Sequence, residues 1–180
     1  MRQSALARRY AGALFQAAKE AGEIENVESD LGLVSYSLEA NPRLREVLTH
    51  PLIPGSRKKE ITAEVFAASV QDVTLDFLYL VTDKRREAIL PDIEIEYVRF
   101  ANDYRNVVPV QVTSAVQLSP DEIGLLRGRL ERFTGKSVEL QFSEDPLIIG
   151  GLVIQIGDTV IDGSVKGYLS SLREKLLGRE

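Results

Sequence analysis

Apolar positions recur every three to four residues from Leu6 to Tyr104, and only past Asn106 does the period fall to two. The first spacing predicts amphipathic helices, the second half-buried strands. In Arg2–Ala21 the residues Leu6, Ala7, Tyr10, Ala11, Ala13, Leu14, Phe15, Ala17 and Ala18 form the apolar arc, with Arg8, Arg9, Gln16 and Lys19 filling the remainder. At about 100° per residue the arc spans roughly 200°, wider than the ~100° stripe of an ordinary surface helix. The helix is therefore either central in a bundle or shared between a core and a partner, and its alanines let another helix come close.

Glu23–Glu39 carries Ile24, Val27, Leu31, Val34 and Leu38 at helical spacing, and Asn41-Pro42 opens a short third helix with Leu44, Val47 and Leu48. A loop over Pro51–Ser56 precedes a fourth, expected to be capped by Ser56 and to carry Ile61, Val65 and Phe66. Its opening triplet Arg57-Lys58-Lys59 is expected to be solvated surface. Asp72–Arg86 is apolar almost all round, through Val73, Leu75, Phe77, Leu78, Tyr79, Leu80 and Val81, with Asp76 and Asp83 as a narrow polar stripe. Such a helix must be covered on nearly every side, more than a helical domain of about a hundred residues readily supplies. Glu87–Asn106 is a sixth helix with Ile93, Tyr97, Phe100, Ala101 and Tyr104 on one side; Pro91 is tolerable only if it lies in the first turn, and otherwise kinks the helix.

The grammar changes at residue 106, giving an expected division into 1–106 and 107–180. Val108, Val110, Val112 and Val116 alternate with polar residues as a strand. Ser119-Pro120-Asp121-Glu122 has the form of a capping box, followed by the stripe Ile123, Leu126, Leu130 and Phe133 and a stop at Gly135. Val138, Leu140 and Phe142 alternate again. Leu147–Ile149 and Leu152–Ile156 read as strands separated by Gly150-Gly151, Gly157-Asp158 as a turn, and Val160-Ile161 as a short strand. Asp162 or Ser164 can cap a last helix whose stripe is Val165, Leu169, Leu172 and Leu176. The fold class is α+β: a helical bundle, then a small sheet covered by helices.

Composition narrows the function. Of 180 residues, 44% are hydrophobic and 27% charged, which suits an ordinary globular chain rather than a disordered one. A net charge of −5 argues against a nucleic-acid surface, and the absence of cysteine removes disulfides and thiolate chemistry. No apolar run approaches the ~20 residues that span a bilayer. Met1–Phe15 continues as a helix without a cleavage pattern and is taken as mature protein.

Candidate chemistry is sparse. Gly135-Lys136-Ser137 lacks the glycine five residues upstream that a phosphate loop requires, since Leu130 stands there, and it follows a helix instead of a strand. Asp145, Asp158 and Asp162 could be drawn together as a metal cluster, but Asp158 and Asp162 are better explained as turn and cap residues, and no histidine or cysteine helps define a site. His50, the single histidine, has no ligand-spaced partner and is expected to cap or pack. Nothing favours catalysis.

The stretch GGLVIQIGDTVIDGSVKGYL, starting at Gly150, resembles the C-terminal signature of the delta subunit of F-type ATP synthases, the counterpart of the mitochondrial oligomycin-sensitivity-conferring protein. Gly150, Gly151, Gly157, Asp158, Asp162, Gly163 and Ser164 carry it as structural residues. Arg9-Tyr10-Ala11, Ala13-Leu14-Phe15 and Ala17-Ala18 are similar to the family's first helix, and Phe77-Leu78 through Lys84-Arg85-Arg86 to its fifth. Val112 to Ala115, Leu118, Gly135-Lys136 and Asp145-Pro146-Leu147 resemble the path between. The resemblance implies a six-helix N-terminal bundle, a smaller α/β C-terminal domain, and a non-catalytic, cofactor-free role joining the catalytic head to the peripheral stalk. It implies that a groove between the first and fifth helices holds the N-terminal helix of an alpha subunit, and that the C-terminal domain meets b-type stalk subunits. The groove residues expected on that basis are Ala7, Ala11, Leu14, Ala18, Leu75, Leu78 and Tyr79. One copy per complex, at the cytoplasmic face of a bacterial plasma membrane, is the corresponding location; a mature plastid form is the alternative. The competing functional readings are an adaptor or assembly factor that binds helices elsewhere, and an enzyme with an unrecognised site.

Overall fold

The computed structural model describes the backbone of residues 2–176 and the side chains of 5–173. The chain divides into two compact units, Met1–Ala101 and Asn102–Glu180. The helix-to-strand change does fall at Asn106, but the last helical turn before it is tied into the second unit. Lys136 Nζ lies 3.1 Å from Asp103 Oδ1, and the Ser137 N–H donates to the Asn106 carbonyl.

The first unit is built from α1 (Arg2–Ala21), α2 (Ile24–Ala40), α3 (Pro42–Thr49), α4 (Gly55–Phe66), α5 (Asp72–Asp83) and most of α6 (Leu90–Arg105). One cluster joins Ala7, Ala11, Leu14 and Ala18 of α1 to Val27, Leu31, Val34 and Leu38 of α2, Phe77, Leu78 and Val81 of α5, and Ile93, Tyr97 and Ala101 of α6. The alanines matter here because a small side chain at each turn lets a neighbouring helix approach. Tyr97 is the largest fully buried residue, and its hydroxyl donates to the Ile24 carbonyl at 3.1 Å, so its polar end is satisfied. Phe15 meets the Tyr97 ring edge-on at 5.8 Å and stacks on Phe100 at 5.9 Å. Buried Asp30 of α2 accepts the Gln71 N–H and the Thr74 hydroxyl, satisfying a donor at the start of α5 from a neighbouring helix.

Two expectations fail in this unit. Ser56 does not cap α4, which begins at Gly55 behind Pro54 with no side-chain cap bond. The triplet Arg57-Lys58-Lys59 is not simply solvated: Arg57 pairs with Glu60, Lys59 with Asp83, and Lys58 is buried against Glu87 at 2.7 Å. Periodicity cannot show such a pair, because the two residues lie on different elements far apart in sequence. α5 ends at Asp83, short of the expected Arg86. Arg85 adopts a left-handed conformation (φ 54°), and the Arg86 N–H turns back to the Val81 carbonyl. The sixth helix starts as a 3₁₀ turn over Glu87–Ile89, placing Pro91 near the beginning of α6, where its missing N–H is harmless.

The second unit is a four-stranded mixed sheet in the order β2-β1-β3-β4. β1 (Val107–Ser114) runs parallel to β2 (Ser137–Glu144) and antiparallel to β3 (Leu152–Ile156), which forms a hairpin with β4 (Thr159–Asp162). α7 (Pro120–Thr134) is the crossover between the parallel strands. Ser119 and Glu122 make the expected capping box, and Gly135 closes α7 in the left-handed region at φ 68°. Val110, Val112, Leu130 and Val138 form the core, lined by Leu118, Leu126, Leu140, Ile154 and Ile156. Four assignments change. Leu147–Ile149 is not a strand: Asp145 accepts the Leu147 N–H and Pro146 fixes a 3₁₀ turn over Pro146–Ile148. Val116 lies beyond β1 and is exposed, as is Phe133 in the last turn of α7. On α8 (Val165–Leu176) the stripe Val165, Leu169 and Leu172 is also exposed instead of buried, and the helix lies against the 3₁₀ turn. The Leu176 side chain lies outside the described residues.

Candidate functional site

Where α1 meets α5, the Tyr10 ring stands edge-on to Phe77 at 6.4 Å. Ala7, Ala11, Leu14 and Ala18 lie under this contact, at the centre of the α1 arc, and are buried; Leu78 of α5 is only 3% exposed. Their surface is consumed by the bundle. Leu75 and Tyr79 are half-buried, and Tyr79 lies beneath the Lys59 ammonium at 5.7 Å, which directs it to α4 instead of α1. The seven residues therefore do not line one open groove in this structure.

A different set does share an open flank. On α1 the half-buried Leu6 and Tyr10 and the exposed Ala13 and Ala17 fall within roughly 60° of one another, on the side that carries the Phe77 contact. On α5, half-buried Val73 and Leu80, 45% exposed, occupy a similar arc beside the buried Phe77 ring. Asp76 borders the strip on α5. The strip is apolar, lacks a nucleophile or titratable cluster, and has small residues on one wall, which is what a helix-in-groove contact uses. All nine apolar members of the α1 arc were visible in the sequence. The spacing of Ala7, Ala11, Leu14 and Ala18 marks the centre of that arc, and the centre goes to the core.

The glycine-rich signature is structural in this geometry. Gly151 has φ 80°, and a Cβ there would strike the Gly163 carbonyl oxygen. The Gly163 N–H donates to the Leu152 carbonyl and the Val165 N–H to the Gly150 carbonyl, so the chain entering α8 lies directly against the start of β3. Gly157 (φ 55°) and exposed Asp158 form the β3–β4 turn. Ser164, not Asp162, caps α8 by accepting the Gly167 N–H at 2.9 Å; Asp162 accepts the Ser164 N–H and so orients the cap. A Cβ at Gly167 would meet the Asp162 carboxylate.

Hydrogen bonds from Ser164, through its hydroxyl and then its N–H, hold the Asp162 carboxyl below its ordinary pKa; Ser119 does the same for Glu122 through its hydroxyl and then its N–H. A depressed folded pKa contributes stability above the unfolded value that is lost as pH falls through the folded one. The thermal midpoint of the second unit should therefore decline below about pH 4, and Asp162→Asn with Glu122→Gln should flatten that decline. Asp162→Ala should lower the midpoint equally with and without divalent cation. A midpoint raised by cation in the wild type would overturn the structural assignment.

Reactive chemistry is not assembled. Among the described residues no group of three His, Cys, Asp or Glu is placed to hold a metal. His50 stands at the C-cap position of α3, where its backbone N–H donates to the Val47 carbonyl, and its Nδ1 accepts the Leu52 N–H in the turn that follows. Gly135-Lys136-Ser137 is the stop of α7 and the start of β2, with the Lys136 ammonium on Asp103. Among the described residues no helix is long and apolar enough to cross a membrane.

The family described as OSCP, ATP synthase delta (OSCP) subunit, matches residues 6–176. This chain belongs to the ATP synthase delta (OSCP) family. Proteins of that family named ATP synthase subunit delta resemble it along their whole length. The one from Desulforudis audaxviator is 40% identical over 176 residues, covering 98% of this chain and 97% of the relative. The one from Desulfotalea psychrophila is 40% identical over 181 residues, covering 100% of both. A chain in the cryo-EM structure of the Toxoplasma gondii mitochondrial ATP synthase hexamer shares the fold, with a TM-score of 0.69 at 22% identity over 96% of this chain and 97% of that one. A chain of the Polytomella F-ATP synthase matches 54% of this chain and 87% of its own length, with a TM-score of 0.51 at 18% identity.

Proposed function

We propose that this chain is the non-catalytic stator subunit that joins the head of an F-type ATP synthase to its peripheral stalk, so that the head does not turn with the rotor. The observation that carries this is full-length similarity to bacterial ATP synthase delta subunits, which leaves neither the adaptor nor the unrecognised enzyme with support. In this reading residues 1–106 act as a six-helix bundle that receives the N-terminal helix of an alpha subunit, and residues 107–180 meet the b-type stalk subunits. One copy serves each complex, at the cytoplasmic face of a bacterial membrane, and no cofactor takes part. The open strip of Leu6, Tyr10, Ala13, Ala17, Val73 and Leu80 supports the first contact. It replaces the seven buried or α4-facing residues as the proposed seat. Holding torque calls for slow release, which an apolar, water-excluding seat provides.

The test is titration of an alpha-subunit N-terminal peptide into the full chain. Leu80→Asp should weaken binding at least about tenfold while leaving the helical circular dichroism and thermal midpoint close to wild type. Leu78→Asp should instead unfold the bundle, since an unpaired carboxylate at a buried position has no partner. Unchanged binding by both Leu80→Asp and Ala17→Glu would remove the strip from the account.

A further inference from the structure

The start of α5 is capped from another helix. Its N-cap residue, Gln71, makes no side-chain cap bond. Instead one carboxylate oxygen of Asp30, on α2, accepts the Gln71 N–H at 2.8 Å and the Thr74 hydroxyl at 2.7 Å. Asp30 is 7% exposed and Thr74 is fully buried. Among the described residues no cation pairs with this carboxylate. What faces it is the start of a helix, the end that favours negative charge.

This arrangement is costly for a cap. A carboxylate taken out of water depends on its hydrogen bonds, whereas a serine or aspartate at position 71 would cap α5 without burying one. A local cap fixes the shape of a helix end. A cap 41 and 44 residues distant in the chain fixes where that end lies. Val73 stands between the two anchored residues, and Leu80 follows it about two turns further along α5. Both form the α5 wall of the open strip. At the other end of α5, the Lys59–Asp83 pair is partly exposed and constrains the helix less.

We propose that Asp30 is a positioning residue for helix recognition. Through Gln71 and Thr74 it sets where α5 lies, and so the spacing between Val73 and Leu80 and the α1 wall of Leu6, Tyr10, Ala13 and Ala17. This rests on the reading of that strip as the seat of the alpha-subunit helix. An apolar seat is sensitive to such placement, because a gap of about 0.5–1 Å already forfeits roughly a quarter to a half of a dispersion contact. Asp30 is buried and acts on the strip only through α5.

The experiment titrates the alpha-subunit N-terminal peptide into full-length wild type, Asp30→Ala, Asp30→Asn, Thr74→Val and Thr74→Ser. Each is measured at a temperature where circular dichroism shows it folded. Asp30→Ala should raise the dissociation constant at least about fivefold and Thr74→Val about threefold. Asp30→Asn keeps an acceptor oxygen and Thr74→Ser keeps the hydroxyl, so both should retain most of the affinity. A purely structural aspartate would lower the thermal midpoints of Asp30→Ala and Thr74→Val while the folded chains bound as tightly as wild type. That result, with binding still lost in Leu80→Asp, would overturn the positioning role and leave the seat intact. If Asp30→Ala does not fold, Thr74→Val against Thr74→Ser decides the question. Full binding by Leu80→Asp and Ala17→Glu would overturn the seat, and the role of Asp30 with it.

Discussion

Replacing Glu87 with alanine should destabilise the helical unit by about 3–5 kcal/mol. Its carboxylate and the Lys58 ammonium are 5–6% exposed and 2.7 Å apart, joining α4 to the turn that starts α6. The pair itself contributes little net stability, since both ions left water to form it. Removing one partner is severe because the other charge stays buried and uncompensated. For a unit of this size the helical melting midpoint should fall by more than ~10 °C. Lys58→Met should be comparably harmful, and Lys58→Met with Glu87→Leu should recover most of the loss. A double variant as unstable as the singles would show that the residues act separately.

Gly151→Ala should cost the second unit about 2–5 kcal/mol, combining an alanine forced to positive φ with a collision against backbone. The obstacle is the Gly163 carbonyl, whose residue is held by its own N–H bond to Leu152, so it cannot swing aside as a side chain would. Gly167→Ala makes a useful contrast. There the obstacle is the exposed Asp162 carboxylate, which can rotate away at the expense of its bond to Ser164, so the loss should be smaller. Thermal melts of the three proteins check the order, wild type above Gly167→Ala above Gly151→Ala. Equal midpoints for wild type and Gly151→Ala would mean that the two backbones are not in contact.

These two sites illustrate what a sequence can and cannot reveal. Local grammar was readable: the capping box at Ser119, the left-handed stop at Gly135 and the switch from helical to strand spacing at Asn106 each depend on neighbours in the chain. Gly150-Gly151 was readable as a break between two apolar runs, but not that the Gly163 backbone packs against it. Lys58 looked like surface because its partner lies 29 residues away on another element. The stripe on α8 looked like core because periodicity reports that a face is apolar, not which surface covers it. For the same reason the wide arc of α1 was legible, while its division was not: Ala11 and Leu14 go to the bundle, and Ala13 and Ala17 stay open.

The most direct test of the stator role uses inverted membrane vesicles from the host depleted of this chain, in which ATP-driven proton pumping is followed before and after the purified chain is added back. The account predicts that depleted vesicles lose pumping, that ATP hydrolysis persists uncoupled or on the released head, and that add-back restores pumping and retention of the head. Full pumping without the chain, or depleted vesicles left uncoupled after add-back, would contradict it.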